Sequence, residues 1–488
     1  MTPPRTHRSV FFTMVAFSVL VLQLPPFAAG GAEFRFGAAT VDITPNRPVA
    51  LDGQRNVRIS RTPETPISAT ALALESRDGD KVLDQAVIVS CDLVAIRDGI
   101  LRQVRAKVQP RLADFDLRKL FLCATHTHTA PVTLEGRYNL PPDILPPGEY
   151  ADWLTTRLAD AIVEAWTRRA PGKVAWGQGQ AVVAQNRRSV FADGTAVMFG
   201  PTNSEKFRAI EGYEDHNLET LIFWDAQGKL AATVINVPCP SQEVGGQSRI
   251  HADFWHPVRE QLRARHGAGL HILAWNGAGG DQTSRLMYGQ AADARMRKLR
   301  GGLTRLEEVA RRVVNGWTEA YEAARNDQQA SPVLRHVVRD LALPLRVVTE
   351  AEVELARKEA AKFAKDPAQR WNFNWNQSVV TRHELQKTGE PGTQAMELHV
   401  LRLGDVAIAS NEFELFTDYG VQMKARSPAV QTFVIQLAGS GGYLPSERAV
   451  RGGGYSAVIQ SSRVGPNGGQ ALVEHTVAAL KELWPAGK

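Results

Sequence analysis

Cysteine is scarce in this sequence. Three cysteines, Cys91, Cys123 and Cys239, occur among 488 residues. An odd and sparse set cannot form the disulfide framework that stabilises small secreted domains. Cys91 and Cys123 lie in apolar, strand-like runs, so we expect them to be small core residues. The chain must therefore rely on a hydrophobic core, and its hydrophobic fraction of 43% is sufficient for one.

Long hydrophobic runs are missing after the N-terminus. At the N-terminus itself, Arg5 and Arg8 precede an apolar stretch over residues 10–24, and small residues follow at 28–32. This is the layout of a secretory signal peptide, and the stretch is too short to favour an uncleaved membrane span. We predict a signal peptide over residues 1–32 and a soluble mature protein, exported to the periplasm or secreted. No transmembrane span is expected in it, whereas contact with a membrane surface stays open.

Basic runs and several catalytic motifs are also missing. The net charge is +6, but Lys and Arg are scattered, and no run of five or more occurs, so nucleic acid is not an expected partner. There is no Gly-x-Ser-x-Gly and no His-Glu-x-x-His, and the glycine-rich loop at 277–280 lacks the Lys-Ser/Thr of a P-loop. These absences argue against a nucleophile-elbow serine hydrolase, a helix-borne zinc protease and nucleotide binding at that loop.

The sequence does contain a regular succession of short apolar strands and longer helical stretches. Residues 120–124 and 271–275 are typical of buried strands, and residues 149–169 and 468–483 have helical periodicity. No internal repeat, low-complexity tract or linker separates them. We therefore predict one α/β domain over residues 33–488, with a large mixed sheet and helices on its outside.

The stretch Thr-His-Thr-His-Thr-Ala-Pro at residues 125–131 follows the predicted strand 120–124. On an extended segment, His126 and His128 point to the same face, roughly 6–7 Å apart. Such a pair suits two ligands of one metal ion, or one ligand beside an acid/base histidine; two surface histidines at a strand tip are the third interpretation. Other polar residues also follow strands, where functional groups collect in open α/β sheets: Asp92, Arg187, His216, Asp281, Glu414 and Tyr443.

The motif at 125–131 resembles the Thr-His-Thr-His-Ser-Gly-Pro motif of the neutral/alkaline non-lysosomal ceramidases. Further matches follow in the same order within residues 36–483: the Gly37…Asp42-Ile43-Thr44 opening, Asp92, Asn186-Arg187, Glu414 with Gly420 beyond it, and the late tyrosines Tyr443 and Tyr455. The chain thus resembles a divergent member of this family, matched to its N-terminal catalytic domain. The resemblance implies the ceramidase catalytic fold, without the C-terminal β-sandwich of the longer members.

The resemblance also implies a zinc-dependent reaction. The implied ligands of Zn²⁺ are a histidine, a carboxylate and a tyrosine: His126, Glu414 and Tyr443. His128 would handle a proton beside the metal, while Arg187 and Tyr455 would stabilise the oxyanion at the reacting carbonyl. The implied reaction is hydrolysis of an amide bond, in ceramide or another small or lipid-like N-acyl substrate, by a zinc-activated water.

The sequence departs from the family pattern at two places. The family's second histidine ligand is missing from residues 236–242, which read Asn-Val-Pro-Cys-Pro-Ser-Gln. We take His256 as the replacement ligand, with His216 and Cys239 as alternatives. In addition, residues 411–414 read Asn-Glu-Phe-Glu where Pro-Gly-Glu is expected, so Glu412 competes with Glu414 for the carboxylate position.

Two other functions stay open from the sequence. One is a catalytically silent, exported binding protein of the same fold, which the altered ligand segment permits. The other is a metal-free esterase or amidase that pairs His128 with Ser241 or Ser284. Metal content separates both from the zinc-dependent hydrolase.

Overall fold

Two β-sheets organise the computed structural model, which describes residues 32–389 and 392–484. All but the last residue of the predicted signal peptide lies outside these residues. The strands of the described part are β1 (Glu33–Asp42), β2 (Val49–Leu51), β3 (Arg58–Ser60), β4 (Ser68–Asp78), β5 (Lys81–Cys91), β6 (Leu120–Ala124), β7 (Ala170–Gln180), β8 (Gln185–Asn186), β9 (Arg188–Phe191), β10 (Ala196–Met198), β11 (Phe207–Ile210), β12 (Asn217–Asp225), β13 (Leu230–Val237), β14 (His271–Asn276), β15 (Gln282–Thr283), β16 (Leu334–Pro344), β17 (Thr393–Leu403), β18 (Val406–Ser410), β19 (Glu414–Leu415), β20 (Gln431–Ile435) and β21 (Tyr443–Leu444).

The helices begin at recognisable signals. Thr304 and Glu307 form a capping box before one helix, Thr349 and Glu352 form another, and a further helix starts with Pro147. The α-helices of the described residues are α1 (Ile100–Val108), α2 (Pro147–Thr167), α3 (Trp255–His266), α4 (Gln290–Leu299), α5 (Arg305–Ala324), α6 (Glu350–Phe363), α7 (Arg370–Gln386), α8 (Thr417–Arg426), α9 (Glu447–Gly452) and α10 (Pro466–Leu483). Within this part of the chain, no helix is both long and apolar enough to cross a membrane.

The larger sheet has eight strands in the order β14-β13-β12-β7-β1-β4-β5-β6. Its outer pairs β5–β6 and β13–β14 are parallel, whereas the pairs between them are antiparallel. The smaller sheet has the order β16-β17-β18-β20 and is parallel between β18 and β20. Both sheets are therefore mixed, as predicted, and β6 has the bounds that the sequence predicts.

The two sheets pack face to face and are covered by helices on their outer sides. Phe34 and Phe121 of the larger sheet share a buried cluster with Leu401 and Phe433 of the smaller one. Helices α1 and α2, and α3 with α5, cover the outer face of the larger sheet, and α8 with α10 covers the smaller. Each Leu or Phe buried in these layers stabilises the fold by roughly 1.5–3 kcal/mol. The predicted α/β fold with outer helices is confirmed.

Candidate functional site

A cavity of about 660 Å³ opens where strands β5, β6 and β20 end. Its wall includes Val94 after β5, His126 and His128 after β6, and Leu437 after β20. The carboxyl ends of parallel strands meet at one edge of a sheet, and ligands commonly bind outside that edge. The sheet topology therefore brings the motif at 125–131 to the cavity.

The backbone turns sharply at the motif instead of continuing as a strand. β6 ends at Ala124, and His126 has a φ of 66°, a left-handed conformation that non-glycine residues rarely adopt. The Thr127 and Thr129 hydroxyls both donate to the carbonyl oxygen of His251 at 2.8 Å and fix the turn. The expected arrangement of two rings 6–7 Å apart on one extended face is therefore wrong. The His126 and His128 ring centroids lie 4.8 Å apart at an angle of 80°.

His126 faces Glu414. The Nδ1 atom of His126 lies 2.6 Å from the carbonyl oxygen of Val94, and because a carbonyl only accepts, Nδ1 carries the proton in the neutral ring. Nε2 then presents its lone pair to Oε2 of Glu414, 3.1 Å away. Burial alone would raise the pKa of the Glu414 carboxyl, but the neighbouring His126, Arg187 and Tyr443 lower it below its usual value. Glu414 is therefore a carboxylate at neutral pH.

Arg187 and two tyrosines lie beside this pair. Nη2 of Arg187 donates to the carbonyl oxygen of Gly280 at 2.8 Å and to the Tyr443 hydroxyl at 3.2 Å, and it lies 3.9 Å from Oε2 of Glu414. The Tyr443 and Tyr455 rings meet edge to face with centroids 5.8 Å apart. Burial raises the pKa of both tyrosine hydroxyls, so both keep their protons at neutral pH. The arrangement offers a guanidinium and two hydroxyls as hydrogen-bond donors.

The His128 ring is hydrogen-bonded to the side chain of Gln242, a residue that the sequence analysis did not identify. The Gln242 amide nitrogen lies 2.9 Å from Nε2 of His128, and Nη1 of Arg187 lies 3.4 Å from the amide oxygen. Gln242 ends the segment 236–242 from which the expected histidine is missing, and that departure was the signal that could have identified it. Burial lowers the pKa of His128 well below its usual value, so the ring is neutral.

The replacement ligands considered for the missing histidine lie away from the cavity. His256 lies in the first turn of α3, where its ring centroid is 6.2 Å from that of His251, and the structure does not bring it to the cavity that holds His126 and Glu414. His216 lies 3.3 Å from a Glu214 oxygen, and the Cys239 thiol is buried beside backbone carbonyls. None of these three side chains lines the cavity that holds His126 and Glu414.

The remaining alternatives are also resolved by position. Glu412 binds the Gln394 side chain and lines a separate, smaller cavity, so Glu414 is the carboxylate that faces His126. The Ser284 hydroxyl donates to Glu243 at 2.6 Å, and Ser241 is buried. Neither of these two serines lines the cavity with His128, so the structure does not bring together the pairs named from the sequence.

The residues at 126, 414 and 443 fit a metal ion. The lone pair of His126 Nε2 and a carboxylate oxygen face each other at 3.1 Å, and two acceptors at this distance need a proton or a cation between them. In the described residues, no group of three His, Cys, Asp or Glu side chains is placed to hold a metal. A third ligand would therefore have to come from another residue type, and the Tyr443 hydroxyl, which hydrogen-bonds to Glu414, is a candidate.

The stacked mixed sheets and this cavity define the fold of the neutral ceramidases. The solved structure of neutral ceramidase from Pseudomonas aeruginosa matches with a TM-score of 0.67 and 16% sequence identity, over 94% of this chain and 76% of that chain. A structure described as ceramidase complexed with C2 matches with a TM-score of 0.64 and 15% identity, over the same shares of the two chains. No family model and no curated protein matches the sequence. At this identity the likeness establishes the fold, and the resemblance stated from the sequence motifs is confirmed at that level.

Proposed function

We propose that this protein hydrolyses an amide bond of a lipid-like N-acyl substrate in the cavity described above. One observation carries the proposal: six side chains suited to this reaction line a single cavity, namely His126, His128, Arg187, Glu414, Tyr443 and Tyr455. The fold shared with neutral ceramidases supports the same class of reaction. Ceramide and other N-acyl compounds are the substrates to test.

Arg187 and Tyr455 act on the carbonyl of the bound amide. As the carbonyl oxygen gains negative charge, the fixed guanidinium and the protonated Tyr455 hydroxyl stabilise it. The hydrogen bonds to Gly280 and Tyr443 hold Arg187 in place before substrate binds, so little reorganisation is needed during the reaction. Removing one such donor typically lowers kcat by roughly 10²–10³-fold.

His128 holds and transfers the proton. Its neutral ring accepts at Nε2 from the Gln242 amide, so Nε2 is the atom that can take a proton. Once Nε2 is protonated, the Gln242 amide can present its oxygen as an acceptor only by a half turn that gives up its 3.4 Å contact with Nη1 of Arg187. The same proton is then available to the leaving amine, which must be protonated to depart.

His126, Glu414 and Tyr443 would hold a zinc ion in this proposal. A zinc ion held there would supply Lewis-acid chemistry, making a water nucleophile available near neutral pH. Both metal dependence and hydrolysis can be tested on the purified protein.

Metal analysis by mass spectrometry, with thermal unfolding in zinc and in chelator, tests the metal. We expect one zinc per chain and a higher Tm with zinc. His126→Ala should lose the zinc, whereas His128→Ala should keep it and lose hydrolysis. His256→Ala, outside the cavity, is the control and should keep both. If the wild-type protein neither carries nor binds zinc, the metal-dependent mechanism is wrong.

A catalytically silent binding protein is the second candidate function. Gln242 favours it, because the segment 236–242, which lacks the histidine ligand implied by the resemblance, presents an amide to His128 instead. This function predicts saturable binding of N-acyl compounds without turnover. Hydrolysis of any of them that is lost in His128→Ala excludes it.

We also propose that the protein is exported, on the basis of residues 1–32. Mass spectrometry of the N-terminus after expression with an intact export system tests this. A chain beginning close to Ala32, in the periplasmic or culture fraction, is expected. A cytoplasmic chain that still begins at Met1 contradicts it.

A further inference from the structure

The cavity wall is strongly cationic. Its charged side chains comprise five arginines and one carboxylate: Arg55, Arg97, Arg137, Arg187, Arg285 and Glu414. A concave surface with charges of one sign focuses its potential and concentrates ligands of the opposite charge. The partners of the arginines decide how much of this charge is available to a ligand.

Three of the five arginines are paired with two carboxylates within the protein. Arg97 and Arg137 share the buried carboxylate of Asp52, at 2.8 Å and 2.5 Å, and both lower its pKa well below the usual range. Arg187 lies beside Glu414. Their charges therefore serve the structure and the proposed reaction, and they are not free for a further anion.

Arg55 has no carboxylate partner among the described residues, but three aromatic rings contact its guanidinium group. Its guanidinium carbon lies 4.6 Å from the Tyr455 ring centroid, 5.1 Å from that of Trp375 and 5.2 Å from that of Trp371. Aromatic rings engage the face of a guanidinium, so its N–H edge stays available to donate. The three rings also restrict the rotation of this long side chain. Arg55 is thus an ordered cation next to a proposed catalytic tyrosine.

Arg285 is a second cation without a carboxylate partner in the part of the chain described. Its guanidinium carbon and that of Arg187 each lie 5.8 Å from the ring centroid of Phe199. Phe199 lines the cavity with 41% of its surface exposed, and its φ of 57° is a left-handed conformation that a bulky residue rarely adopts. The strained turn thus holds an aromatic ring between the buried arginine and the exposed one.

We infer that the substrate of this site carries an anionic oxygen group, a carboxylate or a phosphate, which Arg55 and Arg285 recognise. The inference rests on the proposed function and specifies the head group of its N-acyl substrate. A neutral head group would make no ion pair with Arg55 or Arg285. An anionic group would accept charge-assisted, bidentate hydrogen bonds from either guanidinium. The acyl chain would contact the apolar part of the wall.

Matched pairs of N-acyl compounds test the inference. N-dodecanoylglycine is compared with its neutral amide, N-dodecanoylglycinamide, and phosphorylated N-dodecanoylethanolamine with N-dodecanoylethanolamine. Calorimetry at low salt gives Kd, and turnover gives kcat/KM. We expect at least one anionic compound to bind about tenfold or more tightly than its neutral partner, with a preference that falls as salt is added. The first pair reports on a carboxylate and the second on a phosphate.

Arg55→Gln and Arg285→Gln should each reduce that preference by about tenfold while binding of the neutral compounds is retained. Arg335→Gln is the matched control, because Arg335 is exposed outside the cavity and its loss changes the net charge equally. Equal binding of charged and neutral compounds, no binding of either anion, or an unchanged preference in both cavity variants overturns the inference. If the anion is bound selectively but nothing is hydrolysed, the proposed hydrolysis fails and the inference stands.

Discussion

Gly53 is the residue against which the His128 ring packs. Its φ is 93°, and a Cβ atom added there would lie 2.5 Å from Cγ of His128, closer than side chains tolerate. The glycine therefore serves two purposes: it permits a left-handed turn, and it leaves room for the ring that accepts the Gln242 hydrogen bond. The position of the His128 ring therefore depends on the absence of a Cβ atom at Gly53.

Gly53→Ala should lower kcat for N-acyl hydrolysis by about tenfold or more, because the His128 ring must shift. Gly136→Ala is the control: its φ is 75°, so the backbone cost of roughly 1–2 kcal/mol is similar, but nothing lies within 4 Å of the added Cβ. We expect the control to lose stability alone, measured by urea unfolding, and to keep its kcat. Equal kcat values for the two variants would show that the ring position is unimportant.

At the scale of elements, a buried ion pair joins helix α3 to the end of β5. Nη1 and Nη2 of Arg259 donate to the two carboxylate oxygens of Asp92, at 2.6 Å and 2.9 Å, and Asp92 is fully buried. Asp92 also accepts from the backbone nitrogen of Ser68 and from the hydroxyl of Thr125, which opens the histidine motif. Asp92 therefore holds the segment that carries the histidine motif in place, and it does not itself line the cavity.

Arg259→Met should destabilise the protein by about 3–5 kcal/mol, because it leaves a buried carboxylate without its counter-charge. The double variant with Asp92→Asn should lose less than the sum of the single losses. Urea unfolding measures both. Arg451→Met, which breaks an exposed pair with Glu447, is the control and should cost no more than about 0.5 kcal/mol. A loss below about 1 kcal/mol for Arg259→Met would contradict the supporting role.

The sequence predicted the positions of helices and strands better than it predicted the contacts between them. The apolar run 120–124 and its following polar motif define β6 and the site beside it, because burial and strand length are local signals. The turn at His126 was not predictable, since it is held by the carbonyl oxygen of His251 in a distant segment. Gln242 and Arg55 were missed for the same reason, as their partners lie far away along the chain. His256 was chosen for its proximity in sequence, and the structure does not bring it to the cavity.

At the scale of the whole molecule, the two sheets meet at a pair of buried histidines. His336 of β16 lies with Nε2 3.1 Å from Nδ1 of His399 of β17, and its own Nδ1 lies 3.3 Å from the carbonyl oxygen of Gln85 in the larger sheet. The carbonyl can only accept, so His336 Nδ1 donates, and Nε2 must accept from His399. Protonation of His336 would set two donors against each other, because its Nε2–H would then face the Nδ1–H of His399.

This pair makes stability fall on acidification. Burial, reinforced by Lys119, lowers the pKa of His336 from 6.5 to about 3. Above pH 6.5 neither the folded nor the unfolded state binds the proton. Between pH 6.5 and 3 the unfolded state binds it and the folded state does not, so the free energy of unfolding falls by about 1.4 kcal/mol per pH unit for this ring.

Urea unfolding at pH 7.5, 5.5 and 4.5 measures how the free energy of unfolding changes with pH. His336→Gln should flatten this dependence by about one proton, whereas His475→Gln at an exposed position should leave it unchanged. Equal slopes for the wild-type protein and His336→Gln would mean that the interface between the sheets tolerates the charge.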